Sequence, residues 1–170
     1  MSTNRSSSSS SNKHVIFEKV TRNEESYNEW KYKLDEFVIP ICNGVTTQAI
    51  KMEFGITEII AYISDNRLEK LKAFAFISTI KSGMTFDRKN KSVNFLILQI
   101  ICSAKQRKGY GSILLNEIES KAIRDKYEYL IISSPNKDSI PFYIKYGYQY
   151  LEKGTIDGII QFDCCWKKIN

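Results

Sequence analysis

The chain has 170 residues, 42% of them hydrophobic and 12% aromatic, which is enough to bury one sizeable core. No apolar run approaches the roughly 20 residues of a membrane span, and the N-terminus lacks the apolar core of a signal peptide, so a soluble intracellular protein is expected. The net charge is +6, yet the lysines are scattered and no helix carries a basic face or nucleic-acid motif, which argues against a nucleic-acid-binding module.

Residues 1–13, with the serine run Ser6 to Ser11, can bury nothing and read as a disordered tail ahead of a single domain over 14–170. His14 to Val20 reads as a first strand. Glu24 to Val38 places Tyr27, Trp30, Leu34 and Val38 at spacings of three and four, which predicts an amphipathic helix stopped by Pro40. A second short helix fits Gln48 to Phe54. Glu58 to Ser64, Lys72 to Ile80 and Val93 to Ile101 then read as three successive strands, with turns at Asp65-Asn66 and Ser82-Gly83. A helix from Gly111 buries Ile113, Leu114, Leu115, Ile118 and Ala122; a strand follows at Tyr129 to Ser133, then a short helix ending near Gly147. Two strands close the chain, around Tyr148 to Leu151 and Ile159 to Lys167, giving the order βααβββαβαββ.

Cys42, Cys102, Cys164 and Cys165 show no metal-ligand spacing, and His14 is the one histidine available to join them, so no metal site is expected. Free thiols in a reducing compartment are the expectation. Adjacent Cys164 and Cys165 on a strand point to opposite faces and should not bond to each other.

The chemistry concentrates in Gln106-Arg107-Lys108-Gly109-Tyr110-Gly111, which joins the buried strand from Val93 to the helix from Gly111. Glycines allow close backbone approach, and a helix start offers unpaired N–H donors with partial positive charge, so the segment reads as a cradle for a diphosphate. The spacing excludes two better-known glycine loops. A dinucleotide fingerprint needs glycine where Leu114 stands, and a P-loop needs Gly-Lys-Ser/Thr where the chain has Gly111-Ser112. What fits is Gln/Arg-x-x-Gly-x-Gly/Ala. A second element lies downstream: Asn136, then Phe142-Tyr143, then Gly147-Tyr148.

In these two elements, about a third of the chain from Val93 to Tyr148, the sequence resembles the GNAT superfamily of acetyl-CoA-dependent N-acetyltransferases. The resemblance implies an α+β fold with a mixed, mainly antiparallel sheet flanked by helices, whose splayed central strands, Val93 to Ile101 and Tyr129 to Ser133, hold acetyl-CoA. It implies that the pantetheine arm pairs with backbone at Gln99, Ile100 and Ile101. The diphosphate would then rest on Gln106, Arg107, Lys108, Gly109, Tyr110, Gly111 and Ser112, with Asn136 as a further contact. Lys105, Arg107 and Lys108 add positive charge beside a ligand carrying roughly four negative charges, counting each phosphate at neutral pH. Taken singly, these three side chains could equally be a solvated basic turn.

Tyr143 matches the family's general acid: a phenol with pKa near 10 can protonate a departing thiolate whose conjugate acid lies near 8.5. A general base is missing from the positions where relatives often carry one, because Phe95 and Ile97 stand there. Glu53, Glu58, Asp87, Asp163 and His14 are the other candidates, each readable as an ordinary surface group, and a water chain is an alternative. Gln106, Gly109, Tyr110, Gly111, Leu114 and Asn116 resemble the loop of the histone-acetylating branch, but that branch pairs it with a strand glutamate and a phenylalanine at the position of Tyr143. The expected reaction is therefore acetyl transfer to a primary amine, a small cationic amine in the first place, with a protein or histone lysine or an N-terminal amine as the alternative. The net charge also argues mildly against a strongly basic protein acceptor. A non-catalytic CoA-binding relative is the further alternative. Acceptor specificity would come from the early helices, the Ser82 to Lys91 loop and the Glu152 to Gly158 turn, where Glu53, Asp87, Glu152 and Asp157 supply acid. A homodimer is compatible with these readings.

Overall fold

A computed structural model describes residues 14–42, 44–65, 70–81, 94–105, 107–156 and 160–169. The serine-rich tail, the 82–93 loop, Gln106, Asp87 and Asp157 lie outside the described residues.

Among the described residues seven strands form one sheet in the order β1-β2-β3-β4-β5-β7-β6: β1 Ile16–Lys19, β2 Ile59–Ser64, β3 Leu71–Lys81, β4 Asn94–Ser103, β5 Tyr129–Ser133, β6 Gln149–Ile156 and β7 Ile160–Lys168. Pairing is antiparallel except between β4 and β5, which run parallel because α3, Tyr110–Arg124, crosses over between them. The remaining helices are α1 Glu25–Lys33, α2 Thr47–Phe54 and α4 Ile140–Lys145. The expected α+β fold and element order are both present.

The sheet divides two cores. On one face Ala73, Ala75, Ile77, Leu96 and Leu98 pack against Leu114, Leu115, Ile118 and Ala122 of α3 and Tyr143 of α4. On the other, Phe74, Phe76, Ile100 and Cys102 meet Trp30 of α1 and Ile50 and Phe54 of α2. Five α3 residues were expected from their helical spacing; Leu114, Leu115, Ile118 and Ala122 are fully buried, while Ile113 is half-buried against the same core. A smaller cluster of Phe95, Ile97, Ile131 and Cys164 lies farther along the sheet. Cys164 and Cys165 thus sit on opposite faces, as period-two alternation requires, and burial pushes both thiols up, to about 12 and about 11.

Two expectations need correction. Pro40 does not end the first helical segment: α1 gives way at Leu34 to a π-helical turn, Leu34–Val38, and then to a 3-10 turn, Ile39–Ile41, in which Pro40 occupies an early position where its missing N–H costs no hydrogen bond. Nor are all four cysteines free. Cys42, at the end of that turn, and Cys102 of β4 both face the α1/α2 core with Cα atoms 5.0 Å apart and form a disulfide. Sixty residues separate them, so their spacing in the sequence carries no sign of the contact.

Candidate active site

The site begins with a defect in β4. Opposite β3, Ile100 pairs with Phe76 and Leu98 with Ile77, which leaves Gln99 as an extra residue, a β-bulge, with its Nε2 donating to Ser78 Oγ at 2.8 Å. A bulge bends its strand and increases the local twist. The effect appears on β4's other edge. Its parallel pairing with β5 runs from Phe95↔Tyr129 to Leu98↔Ile132 and stops there. On the β5 side Ser133 pairs with Cys164 of β7, and Ser134, in a left-handed conformation at φ 44°, donates its N–H to the Asp163 carbonyl at 2.8 Å. The strands part from both sides, leaving the backbone of Gln99 to Ser103 without a strand partner on that edge.

The gap opens into a cleft of about 800 Å³. Its walls are the β4 segment Leu98 to Ser103, the β5 end Ile132 to Asn136, and Thr46, Ala49 and Glu53 of the α2 segment, with Tyr143 of α4 on the far side of the sheet. Thr46, Ala49 and Glu53 fall at spacings of three and four, one helical stripe, while Ile50 and Phe54 turn into the core. Thr46 also caps α2, its hydroxyl accepting from the Ala49 N–H at 3.2 Å.

Gln99, Ile100 and Ile101 therefore line the cleft, and the sequence did not reveal the bulge that exposes them. Past Ser103 the chain reaches the loop before α3. Arg107 and Gly109 are both left-handed, at φ 61° and 76°. The first helical bond of α3 runs from the Ile113 N–H to the Gly109 carbonyl at 3.0 Å, so the N–H groups of Gly111 and Ser112 have no helical acceptor ahead of them. Gly109 occupies the cap position and brings no side chain to satisfy them. A Cβ built on Gly111 would meet nothing within 4 Å, and neither would one on Gly109. The need for glycine on conformational grounds thus rests at Gly109, whereas Gly111 keeps open space. Lys105, Arg107 and Lys108 are exposed on this loop, and Gln106 lies outside the described residues.

Asn136 lies on the cleft wall and serves as a cap: its Oδ1 accepts from the Asp138 N–H at 3.2 Å, and its carbonyl accepts from the Ser139 hydroxyl at 2.7 Å. Ser139 opens α4 and lies within hydrogen-bonding reach of the Tyr143 phenol, one helical turn on. Tyr143 is 4% exposed. Its ring meets Phe142 and Tyr148 edge-on, and burial holds its phenol protonated well above the usual range. Gly147, at φ 84°, ends the helix, with the Tyr148 N–H returning to the Tyr143 carbonyl at 3.2 Å.

Among the candidate bases, Phe95 and Ile97 are buried in their own cluster, while Glu58, Asp163 and His14 are exposed and do not line the cleft. Glu58 instead accepts a hydrogen bond from Thr79 beside Tyr127. Glu152 is exposed and also off the cleft wall. Glu53 alone of these residues is on it. Its Oε2 is buried with no hydrogen-bond partner among the described residues, and burial raises its carboxyl above the usual range. Nothing in the sequence ranked it above the other acids; the 46, 49, 53 stripe was the available signal.

Residues 84–148 match the acetyltransferase (GNAT) family. A comparison with curated proteins gave no match. Among solved structures the chain is similar to a candidate N-acetyltransferase from Lactobacillus plantarum at 16% identity and TM-score 0.60, covering 92% of this chain and 98% of that one. It is similar to an N-acetyltransferase from Staphylococcus aureus Mu50 at 21% identity and TM-score 0.57, with the same coverage. A GNAT family acetyltransferase from Elizabethkingia anophelis with acetyl-CoA bound aligns at 15% identity and TM-score 0.54, over 91% of this chain and 97% of that one. No described helix is long and apolar enough to cross a membrane, and no group of potential metal ligands occurs among the described residues. The chain thus has the GNAT fold over nearly its whole length and the sequence signature of that acetyltransferase family over residues 84–148.

Proposed function

We propose that the protein moves an acetyl group from acetyl-CoA to the nitrogen of a primary amine by direct attack, with Tyr143 as the general acid. The observation that carries this reading is the buried Tyr143 phenol on the wall of a cleft that opens where β4 and β5 part. The cleft is large enough for the inner part of an acyl-CoA, since small-molecule sites run from roughly 300 to 1,000 Å³. The unpaired edge of Gln99, Ile100 and Ile101 can bond the pantetheine amides as an added strand. The first-turn N–H groups of Gly111 and Ser112 suit a diphosphate, with Tyr110 at the start of the same turn, Lys105, Arg107 and Lys108 beside it and Asn136 on the opposite wall. Those residues orient the thioester so that its sulfur meets the phenol. Tyr143 then gives its proton to the sulfur as the carbon–sulfur bond breaks, and burial guarantees that the proton is there to give across the working pH range.

The acceptor in this reading is a small cationic amine, because the α2 wall carries a carboxylate, Glu53. The test is a screen of small amines, peptide N-termini and lysine peptides with acetyl-CoA, following release of free thiol. Turnover of small amines supports the reading. Turnover confined to lysine peptides moves the acceptor to protein. CoA binding without turnover of any amine overturns acetyl transfer.

A further inference from the structure

The gap between β4 and β5 passes through the sheet, so its two walls belong to different cores. Tyr143 reaches it from the α3/α4 face, and Glu53 reaches it from the α1/α2 face. An amine arriving from one face and a thiolate departing toward the other would need a proton removed on the first side and supplied on the second.

Glu53 has the properties of the first group. It stands in the last turn of α2, which is fixed by Ile50 and Phe54 in the core and by the Thr57 hydroxyl donating to the Glu53 carbonyl at 2.8 Å. The backbone of that turn is thereby fixed, and it presents Glu53 on the cleft stripe. Its Oε2 is buried without a hydrogen-bond partner among the described residues. Two cations at the α2 segment are engaged elsewhere: Arg22 donates to the Gly55 carbonyl, and Lys51 pairs with Asp35 at 2.7 Å. The other titratable groups on the cleft wall are Tyr143 and the exposed Asp138, both across the gap. A carboxylate taken out of water with no protein donor is costly, and such a group calls for a donor from a ligand.

We propose that Glu53 binds the acceptor ammonium and takes its proton, acting as the general base opposite Tyr143. This inference rests on the acetyl-transfer reading. The ammonium gives one proton to Glu53, which passes it to solvent. The free amine attacks the thioester carbonyl and the carbon–sulfur bond breaks, with Tyr143 protonating the sulfur. The nitrogen then loses a second proton, which restores the phenol. The products are the N-acetyl amide, free CoA thiol and one proton. With one carboxylate on the α2 wall, the acceptor class is an amine bearing a single positive charge at the reacting end.

The test uses the full chain and whichever amine reacts fastest in the screen above. Glu53→Gln keeps the shape and removes the base. Expected are acetyl-CoA affinity within about twofold of the parent by calorimetry and a loss of about 10²- to 10⁴-fold in kcat/KM at pH 7. The loss should shrink by up to about tenfold per pH unit at higher pH, as more amine arrives deprotonated, and Glu53→Asp should recover part of the rate. A merely structural role predicts the same loss at every pH. A pH-independent loss, or full activity of Glu53→Gln between pH 6 and 10, overturns the assignment while leaving acetyl transfer by the parent standing. Absence of turnover by the parent on every amine removes both.

Discussion

Leu98 and Ile132 are the last partners of the parallel pair β4 and β5, and the residue that follows Leu98 is the bulged Gln99. The bulge sits where the strands part, and its removal is a clean experiment. Deleting Gln99 would bring Leu98 and Ile100 into succession opposite Ile77 and Phe76, the partners they already have, so every core residue of β4 keeps its face. The strand should straighten and close on β5. We expect a folded protein with little change in Tm and at least tenfold weaker CoA binding by calorimetry. Unchanged affinity in the folded deletion variant would separate the bulge from the ligand site.

The loop glycines differ in what they should do. At Gly109 any L side chain must hold φ near 76°, which costs about 1–2 kcal/mol and more for a β-branched residue. At Gly111, the second residue of α3, Val is sterically free and no worse than Gly as a helix former. Gly111→Val should therefore melt like the parent yet bind CoA at least tenfold more weakly, its side chain filling the space the diphosphate would use. Gly109→Val should lose both stability and binding. Normal CoA affinity in Gly111→Val would overturn the phosphate-loop assignment.

Much of this was legible in the sequence because it depends on local patterns. The α3 face, the β5 bounds and the Gly-x-Gly turn each follow from spacing within a few residues, and the element order followed from them. The bulge at Gln99 was not legible, since the run from Phe95 to Ile101, apolar except for Gln99 itself, reads as one continuous strand and only its partners on β3 reveal the extra residue. The same holds for the Cys42–Cys102 contact and for Glu53. Whether a helical acid is a surface charge or a cleft residue depends on where a strand forty residues or more away happens to part from its neighbour.

Tyr143→Phe should keep the ring contacts with Phe142 and Tyr148 and lose only the hydroxyl. Acetyl-CoA affinity should change little, while kcat falls about 10²- to 10⁴-fold. Because burial holds the phenol protonated above its ordinary range, the parent's rate should show no alkaline decline from this group through about pH 10. Full activity of the variant would give the role to another group or to water.

Glu53 also carries a stability prediction with a definite sign. Its folded carboxyl titrates above the unfolded value through desolvation, so the folded state favours the protonated form. That contribution is fully present below the unfolded pKa, near 4.3, and is lost as pH rises through the folded pKa. At neutral pH the ionised side chain is therefore a liability to the fold, kept modest by its remaining exposure to solvent. Glu53→Gln should melt above the parent at pH 7 to 8, and the difference should fade below about pH 4, where both side chains are neutral. The same substitution is expected to cost activity, which is the usual sign of a group retained for chemistry rather than stability. Thermal melts across that range check it: a lower Tm for the variant at neutral pH would mean that the carboxylate has a stabilising partner in the protein, and the argument for an unpaired base would lose its footing.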